Sequence, residues 1–148
     1  GNYGLEHSEY SIWNVNGTSG VEFNDLNLNE NYHFAIKTRQ HLAVMTTSVI
    51  LLNTTDNTID INCSNPSNIM DAANQLHLLQ SGEYALLAGD FDQDGFIDND
   101  DYTLYLIQSS SVNQYNEADA NLNSHVEAND FNLLLQNNGK TAVTALQN

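Results

Sequence analysis

The stretch Asp90-Phe-Asp-Gln-Asp-Gly-Phe-Ile-Asp-Asn-Asp-Asp101 carries acidic side chains at regular intervals, with one glycine at its centre. Its carboxylates include positions 1, 3, 5, 9 and 12, the glycine is at position 6, and an isoleucine is at position 8. Alternate positions of a tightly curled loop point inward, and Ca²⁺ takes six to eight oxygen ligands. This spacing therefore predicts a calcium-binding loop, called loop 1 below.

Loop 1 has the spacing of an EF-hand loop, with Asp instead of Glu at the twelfth position. Gly95 permits the left-handed backbone conformation that curls such a loop. Ile97 is expected to turn inward and pack against its counterpart in a second loop. The predicted ligands are Asp90, Asp92, Asp94, the carbonyl of Phe96, Asp98 and Asp101.

A second copy, loop 2, spans residues 119–130 at an offset of 29 residues. Each loop leads into an apolar, helix-like run, residues 101–108 and 130–137. Ser124 replaces the glycine, and three ligand carboxylates stand where loop 1 has five, so the second site is predicted to be weaker. The predicted ligands are Asp119, Asn121, Asn123, the carbonyl of His125, Glu127 and Asp130. We therefore expect two Ca²⁺ ions, the first bound more strongly.

The part of the chain before about residue 62 has the pattern of β structure. Tyr32, Phe34 and Ile36 alternate with other residues, and short apolar runs separated by turn-forming residues follow. Such spacing predicts a small antiparallel β-sandwich, and a short helix is predicted between residues 64 and 83. The predicted fold class is α+β, with a β-sandwich-like module at 1–83 and a pair of calcium loop-helix motifs at 84–148. Because no Pro/Ser-rich linker separates them, we expect the two parts to pack together.

Composition excludes several classes of function. The chain has 19 Asp+Glu against 3 Lys+Arg and a formal charge of −16, which excludes nucleic-acid binding and disfavours anionic membranes. No apolar segment approaches the length needed to span a membrane. No Gly-x-Ser-x-Gly, His-Glu-x-x-His or phosphate-binding glycine loop is present, so no enzyme is predicted. Cys63 is the only cysteine, and no internal disulfide is expected.

Asp at position 12, an apolar position 8 and the missing helix before each loop resemble the duplicated calcium repeats of type I dockerins. The resemblance covers residues 88 to about 139. It implies a calcium-dependent, non-catalytic interaction module of a larger secreted or cell-surface bacterial protein. It also implies a cohesin-like partner and a role in polysaccharide degradation. In that family the partner contacts loop positions 10 and 11 and the following helix, which here are Asn99, Asp100, Thr103, Ala128, Asn129 and Asn132.

The segment Phe34-Ala-Ile-Lys-Thr-Arg-Gln-His-Leu-Ala-Val-Met-Thr46 is similar to a strand-turn-strand segment near the C-termini of large secreted Bacteroidetes-type proteins. There it precedes a dockerin-like calcium region, and the Leu86-Leu-Ala-Gly-Asp90 junction matches that arrangement. The similarity implies a β-module joined to a dockerin-like unit, as in the X-module–dockerin pairs of cellulosome scaffolds.

Two other functions remain open from the sequence. Trp13 with Tyr10 or Tyr32 is a candidate sugar-binding platform, although a core role is favoured for the single tryptophan. In that case the β part binds carbohydrate and calcium is structural. The third hypothesis is a purely structural terminal domain. For Arg39 and His41, a solvent-facing or turn-capping role is favoured over a catalytic one.

Overall fold

The structure is a computed structural model that describes residues 8–12, 14, 18–47, 50–53, 60–143 and 146. These residues form a small mixed α and β protein with short antiparallel strand pairs. They divide into two compact units. The described residues of Gly1–Tyr32 and Ile50–Thr58 form the first unit, and those of His33–Val49 and Ile59–Asn148 form the second.

Within the described residues, the strands form three separate pairs. No helix in this part of the chain has the length and hydropathy that a membrane span requires. The strands are β1 (Glu30–Tyr32), β2 (Ala35–Thr38), β3 (His41–Met45), β4 (Ile50–Leu52), β5 (Leu76–Leu78) and β6 (Tyr84–Leu86). The helices are a 3₁₀ turn (Pro66–Asn68), α1 (Ala72–Gln75), α2 (Asn99–Gln108) and α3 (Ala128–Asn137). The pairs are β1 with β4, β2 with β3 and β5 with β6, and all three are antiparallel.

The strand β3 organises the second unit because both of its faces are buried. Val44 packs in one cluster with Ile69 and Leu76. Leu42 and Met45 pack in a larger cluster that also contains residues of both acidic loops. A short continuous apolar run is typical of such a strand. Leu42, Ala43 and Met45 of the predicted β part therefore pack in one cluster with residues of both loops, as expected. The predicted domain boundary at residue 83 stays a prediction.

The predicted β-sandwich is not confirmed. The period-2 run through Tyr32, Phe34 and Ile36 divides into β1 and β2, which pair with different strands. A period-2 pattern records alternating exposure and does not specify a pairing partner. The helix predicted within 64–83 is limited to Ala72–Gln75, and Leu76 instead begins β5.

The helices α2 and α3 each begin two residues earlier than predicted, inside their loops. Asp101 lies in the first turn of α2 and accepts a hydrogen bond from the N–H of Asp98, which caps the helix. An acidic residue near a helix N-terminus stabilises it by accepting from free N–H groups and by favourable interaction with the dipole. The two helices meet through an aromatic cluster of Tyr102, Tyr105 and Phe131, with ring centroids 5.2–6.5 Å apart.

Candidate metal centre

Loop 1 gathers three of its predicted ligands. One carboxylate oxygen from each of Asp90, Asp92 and Asp94 lies within 4.8 Å of the other two. Asp98 and Asp101 lie outside this group. The three gathered residues occupy positions 1, 3 and 5, so the curl of the loop brings together the alternate positions that the sequence pattern predicts.

Asp90 is the buried member of this group. Its side chain is 1% exposed, and its Oδ1 atom is buried without a hydrogen-bond partner. Burial, followed by the negative charges of Asp101, Asp94 and Asp92, raises the pKa of Asp90 to about 7, against a hydrogen bond from the Gly95 N–H. Burial also raises the pKa of Asp92. A buried carboxylate oxygen without a partner is costly unless a cation or donor satisfies it, so the residues present fit a cation at this point.

Asp101 closes loop 1 by binding main-chain N–H groups. Its Oδ1 accepts from Phe91 N–H at 2.6 Å and Asp92 N–H at 3.3 Å, while Oδ2 accepts from Asp98 N–H at 2.9 Å. Burial raises the pKa of Asp101 to about 6, and the hydrogen bonds from Asp98, Phe91 and Asp92 oppose that rise. In this structure the Asp101 carboxylate therefore joins the start of loop 1 to the start of α2.

Loop 2 has the same pattern of hydrogen bonds as loop 1. Asp130 at position 12 accepts from the N–H of Asn121 at 3.1 Å and from that of Glu127 at 2.9 Å. The position-5 side-chain oxygen accepts from the position-7 N–H in both loops, at 2.8 Å from Phe96 and 2.9 Å from His125. Positions 4 and 6 have positive φ in both loops: 62° at Gln93 and 91° at Gly95, 59° at Leu122 and 67° at Ser124. The two loops therefore share one backbone conformation as well as one sequence pattern.

The interior of loop 2 differs from that of loop 1. Both oxygens of buried Asp119 accept main-chain hydrogen bonds, from Asn123 N–H at 3.0 Å and Ser124 N–H at 2.8 Å. The Asn123 amide donates to Glu127 Oε1 at 3.1 Å. The imidazole Nδ1 of His125 lies 2.9 Å from the Asn123 carbonyl. Among the described residues, the carboxylates of loop 2 form no group like that of loop 1.

Each loop is also held by the segment that follows the other loop's helix. The Ile97 carbonyl accepts from Gly139 N–H at 2.8 Å, and the Val126 carbonyl accepts from Ser110 N–H at 3.0 Å. Matching β-bridges join Phe96 to Thr141 and His125 to Val112. The side chains of Ile97 and Val126 are buried in the same cluster. This reciprocal pairing gives the two copies pseudo-twofold symmetry.

The six residues predicted to contact a partner are all exposed. Exposed large apolar side chains follow them within one helical turn on α2 and α3: Leu106 is 51% exposed, Ile107 75% and Leu135 53%. Leu106 and Leu135 occupy equivalent positions of the two copies. The predicted partner residues of both copies are Asn99, Asp100, Thr103, Ala128, Asn129 and Asn132.

Sequence reasoning missed the contacts that join the hairpin β2–β3 to both loops. Arg39 contacts the segment before loop 2, whereas the sequence favoured a solvent-facing or turn-capping role for it. His41 is half-buried, with Nδ1 3.0 Å from the Thr38 hydroxyl oxygen, and burial lowers its pKa. The composition indicates such a contact for Arg39, because a chain with only 3 Lys+Arg and 19 Asp+Glu offers each cation many acidic partners.

No protein-family model, curated protein or solved structure matches this chain.

Replacing Ser124 with glycine is expected to stabilise the metal-free protein. A non-glycine residue in the left-handed region costs roughly 1 kcal/mol, and glycine offsets part of the gain through greater freedom when unfolded. We expect the free energy of unfolding in urea to rise by about 0.5 kcal/mol. The reverse change at the equivalent position, Gly95→Ser, should lower it. A less stable Ser124→Gly protein would show that the Ser124 side chain has another role.

Proposed function

We propose that this chain is a calcium-dependent, non-catalytic protein–protein interaction module of dockerin-like type. The observation that carries this proposal is the gathering of Asp90, Asp92 and Asp94 around a buried Asp90 oxygen that has no partner. An all-oxygen, carboxylate-rich group suits a hard cation, and the EF-hand spacing favours Ca²⁺ over Mg²⁺ because it offers more ligands in a flexible loop.

In this proposal Asp98, Asp101 and the Phe96 carbonyl complete the first calcium site. Asp98 and Asp101 lie outside the group that is already gathered, so binding requires side chains to rotate toward the ion. The bound ion neutralises the carboxylate repulsion that burial makes costly. Calcium thereby fixes loop 1 and the start of α2.

Loop 2 is the proposed second and weaker site. Its backbone matches that of loop 1, which supports a common ancestral function. Its lower carboxylate count and internally bonded side chains support weaker binding, because affinity in such loops follows ligand charge and rigidity. The hydrogen bond from Asn123 Nδ2 to Glu127 Oε1 already engages one of the two Glu127 oxygens within the loop.

The proposed partner surface consists of the exposed predicted residues together with Leu106, Ile107 and Leu135. Exposed apolar side chains beside polar ones are typical of protein interaction sites. Calcium sets the starts of both helices, so it would also set this surface. A cohesin-like domain is the partner that we propose, and a secreted or cell-surface bacterial protein acting in polysaccharide degradation is the proposed parent.

The carbohydrate-binding alternative depends on Trp13, which lies outside the described residues. Tyr10 is 94% exposed, and the Tyr32 hydroxyl oxygen accepts a hydrogen bond from Asn27 N–H at 3.0 Å. Sugar binding by the β part, a β-sandwich arrangement of that part and a purely structural role therefore stay predictions from the sequence.

Calcium-dependent capture of cohesin-like domains tests the proposed interaction. Immobilised protein is expected to retain such a domain in millimolar Ca²⁺ and to release it in EDTA. Leu106→Asp should weaken retention at least about tenfold, because charge in an apolar interface is poorly tolerated. Leu78→Asp is a matched control, since Leu78 is 54% exposed on β5. Retention of the partner that persists in EDTA would contradict the proposed surface. Equal weakening of retention by both variants would contradict it as well.

A further inference from the structure

Arg39, in the turn between β2 and β3, contacts one residue within loop 1 and two residues just before loop 2. Its main-chain carbonyl accepts a hydrogen bond from Gln93 Nε2 at 3.3 Å. Its guanidinium Nη2 donates to the Tyr115 carbonyl at 2.8 Å and lies 3.4 Å from Glu117 Oε1. We call these contacts the Arg39 bridge.

The first end of the bridge lies within loop 1. Gln93 stands at position 4, between two of the gathered carboxylates, in the left-handed conformation. The turn itself is anchored beside the same loop, because the Gln40 carbonyl accepts from Gly89 N–H at 2.8 Å. Any ordering of Asp92 and Asp94 by an ion must therefore also restrict Gln93 and the turn.

The second end lies immediately before loop 2. Glu117 Oε2 accepts from Gln108 Nε2 at 2.6 Å, and Gln108 Oε1 accepts from Ala118 N–H at 3.0 Å. Ala118 precedes Asp119, the first predicted ligand of loop 2. Arg39 and Gln108 together hold the chain that leads to this ligand.

We propose that Arg39 is a positioning residue that couples the two loops, so that an ion in loop 1 raises the calcium affinity of loop 2. This inference rests on the proposed calcium binding. An ion in loop 1 orders Gln93, the hairpin turn and, through Arg39, residues 115–118. Loop 2 then loses less conformational entropy when it binds its own ion, which is positive coupling between sites.

Coulomb repulsion between Arg39 and Ca²⁺ predicts the opposite effect of removing Arg39 on the calcium affinity of loop 2. A guanidinium close to a calcium loop repels Ca²⁺, so removal of its charge would by itself tighten binding. If the Arg39 bridge positions loop 2, removal of the Arg39 side chain instead weakens Ca²⁺ binding at loop 2. The direction of the change in affinity therefore separates positioning from charge.

The test is a Ca²⁺ titration of the full chain followed by NMR. The amide signal of Gly95 reports loop 1 and that of Ser124 reports loop 2. The two signals are comparable because both residues occupy position 6 of their loop. In Arg39→Met, the Ser124 midpoint should move to about fivefold higher Ca²⁺, with a much smaller change at Gly95. Lys37→Met is the charge-matched control, since Lys37 is an exposed cation on β2, and it should not weaken loop 2.

A double-mutant cycle measures the coupling itself. Disabling loop 1 with Asp90→Asn should raise the Ser124 midpoint about fivefold when Arg39 is present and less than about twofold in Arg39→Met. Equal effects in both backgrounds would overturn the bridge while leaving calcium binding intact. If Arg39→Met does not fold, Glu117→Gln, which removes the ion pair, takes its place in the cycle. An effect of Asp90→Asn that stays fivefold in the Glu117→Gln background would then overturn the bridge. If neither signal of the parent responds to Ca²⁺, the proposed function fails and the coupling with it.

Discussion

Replacing Asp90 with asparagine is expected to raise the thermal stability of the metal-free protein and to remove its stabilisation by calcium at loop 1. The two effects have opposite signs because the Asp90 charge is unfavourable without an ion and necessary with one. The side chain is 1% exposed, and one of its oxygens has no partner. Asparagine keeps the shape and one acceptor oxygen but carries no charge.

The sign follows from the pKa of Asp90, which burial and neighbouring carboxylates raise from 3.8 to about 7. A carboxyl whose pKa is raised in the folded state stabilises the fold below its unfolded pKa, and this contribution is lost as the pH rises through the folded value. At about pH 8 the ionised group destabilises the metal-free fold by roughly 1–4 kcal/mol. Asp90→Asn should therefore raise the unfolding temperature in EDTA by about 3–10 °C.

With calcium present, the same variant should lose at least about a hundredfold in affinity at loop 1, because a central anionic ligand is missing. Calorimetric melting and calcium titration measure the two effects. Asp100→Asn is the matched control, since Asp100 belongs to the same loop but is an exposed non-ligand. The control should change calcium affinity only a few-fold through its distant charge. An Asp90→Asn protein that melts lower in EDTA and keeps the parent's response to calcium would contradict the assigned role of Asp90.

Removal of calcium from the parent protein has the second large expected effect. An ion at a hundred times its dissociation constant stabilises the folded state by about 2.7 kcal/mol per site. Two sites near saturation would contribute about 5 kcal/mol. For a chain of this size the unfolding temperature should therefore fall by roughly 10–20 °C in EDTA.

The loss of order should be confined largely to the part of the chain that holds the loops. Amide hydrogen exchange is expected to accelerate between residues 90 and 142, where the loops and the segments paired with them lie. Strands β1 and β4 belong to the other compact unit and should change little. Mg²⁺ at the same concentration is the control, and it should restore much less stability, because it requires near-ideal octahedral geometry. Equal exchange rates with calcium and with EDTA would refute this expectation.

The acidic loops were the part of the structure that the sequence predicted best. Their residues are close in sequence, so the sequence separation of Asp90, Asp92 and Asp94 largely determines the distances between their side chains in the fold. The repeat at 29 residues likewise led to equivalent backbones, including the left-handed conformation at Ser124. The helices start inside the loops because the side chains at positions 9 and 12 form a capping box in both copies, in addition to the ligand role predicted for them.

The arrangement of the strands could not be predicted in the same way. Alternation of apolar residues does not say which strand a segment pairs with, so the pattern from Tyr32 to Ile36 does not reveal that the fold has two strands there. The burial of β3 between two clusters depends on residues far along the chain, such as Ile69 and Leu134. The Arg39 bridge joins residues 76 and 78 positions apart in the sequence. No local pattern records such contacts.

Calorimetric titration of the metal-stripped protein with Ca²⁺ tests calcium binding by the two loops most directly. We expect two ions per chain, the first bound more tightly and lost in Asp90→Asn but retained in Asp100→Asn. Absence of binding at millimolar Ca²⁺, or binding that Asp90→Asn leaves unchanged, would contradict this expectation.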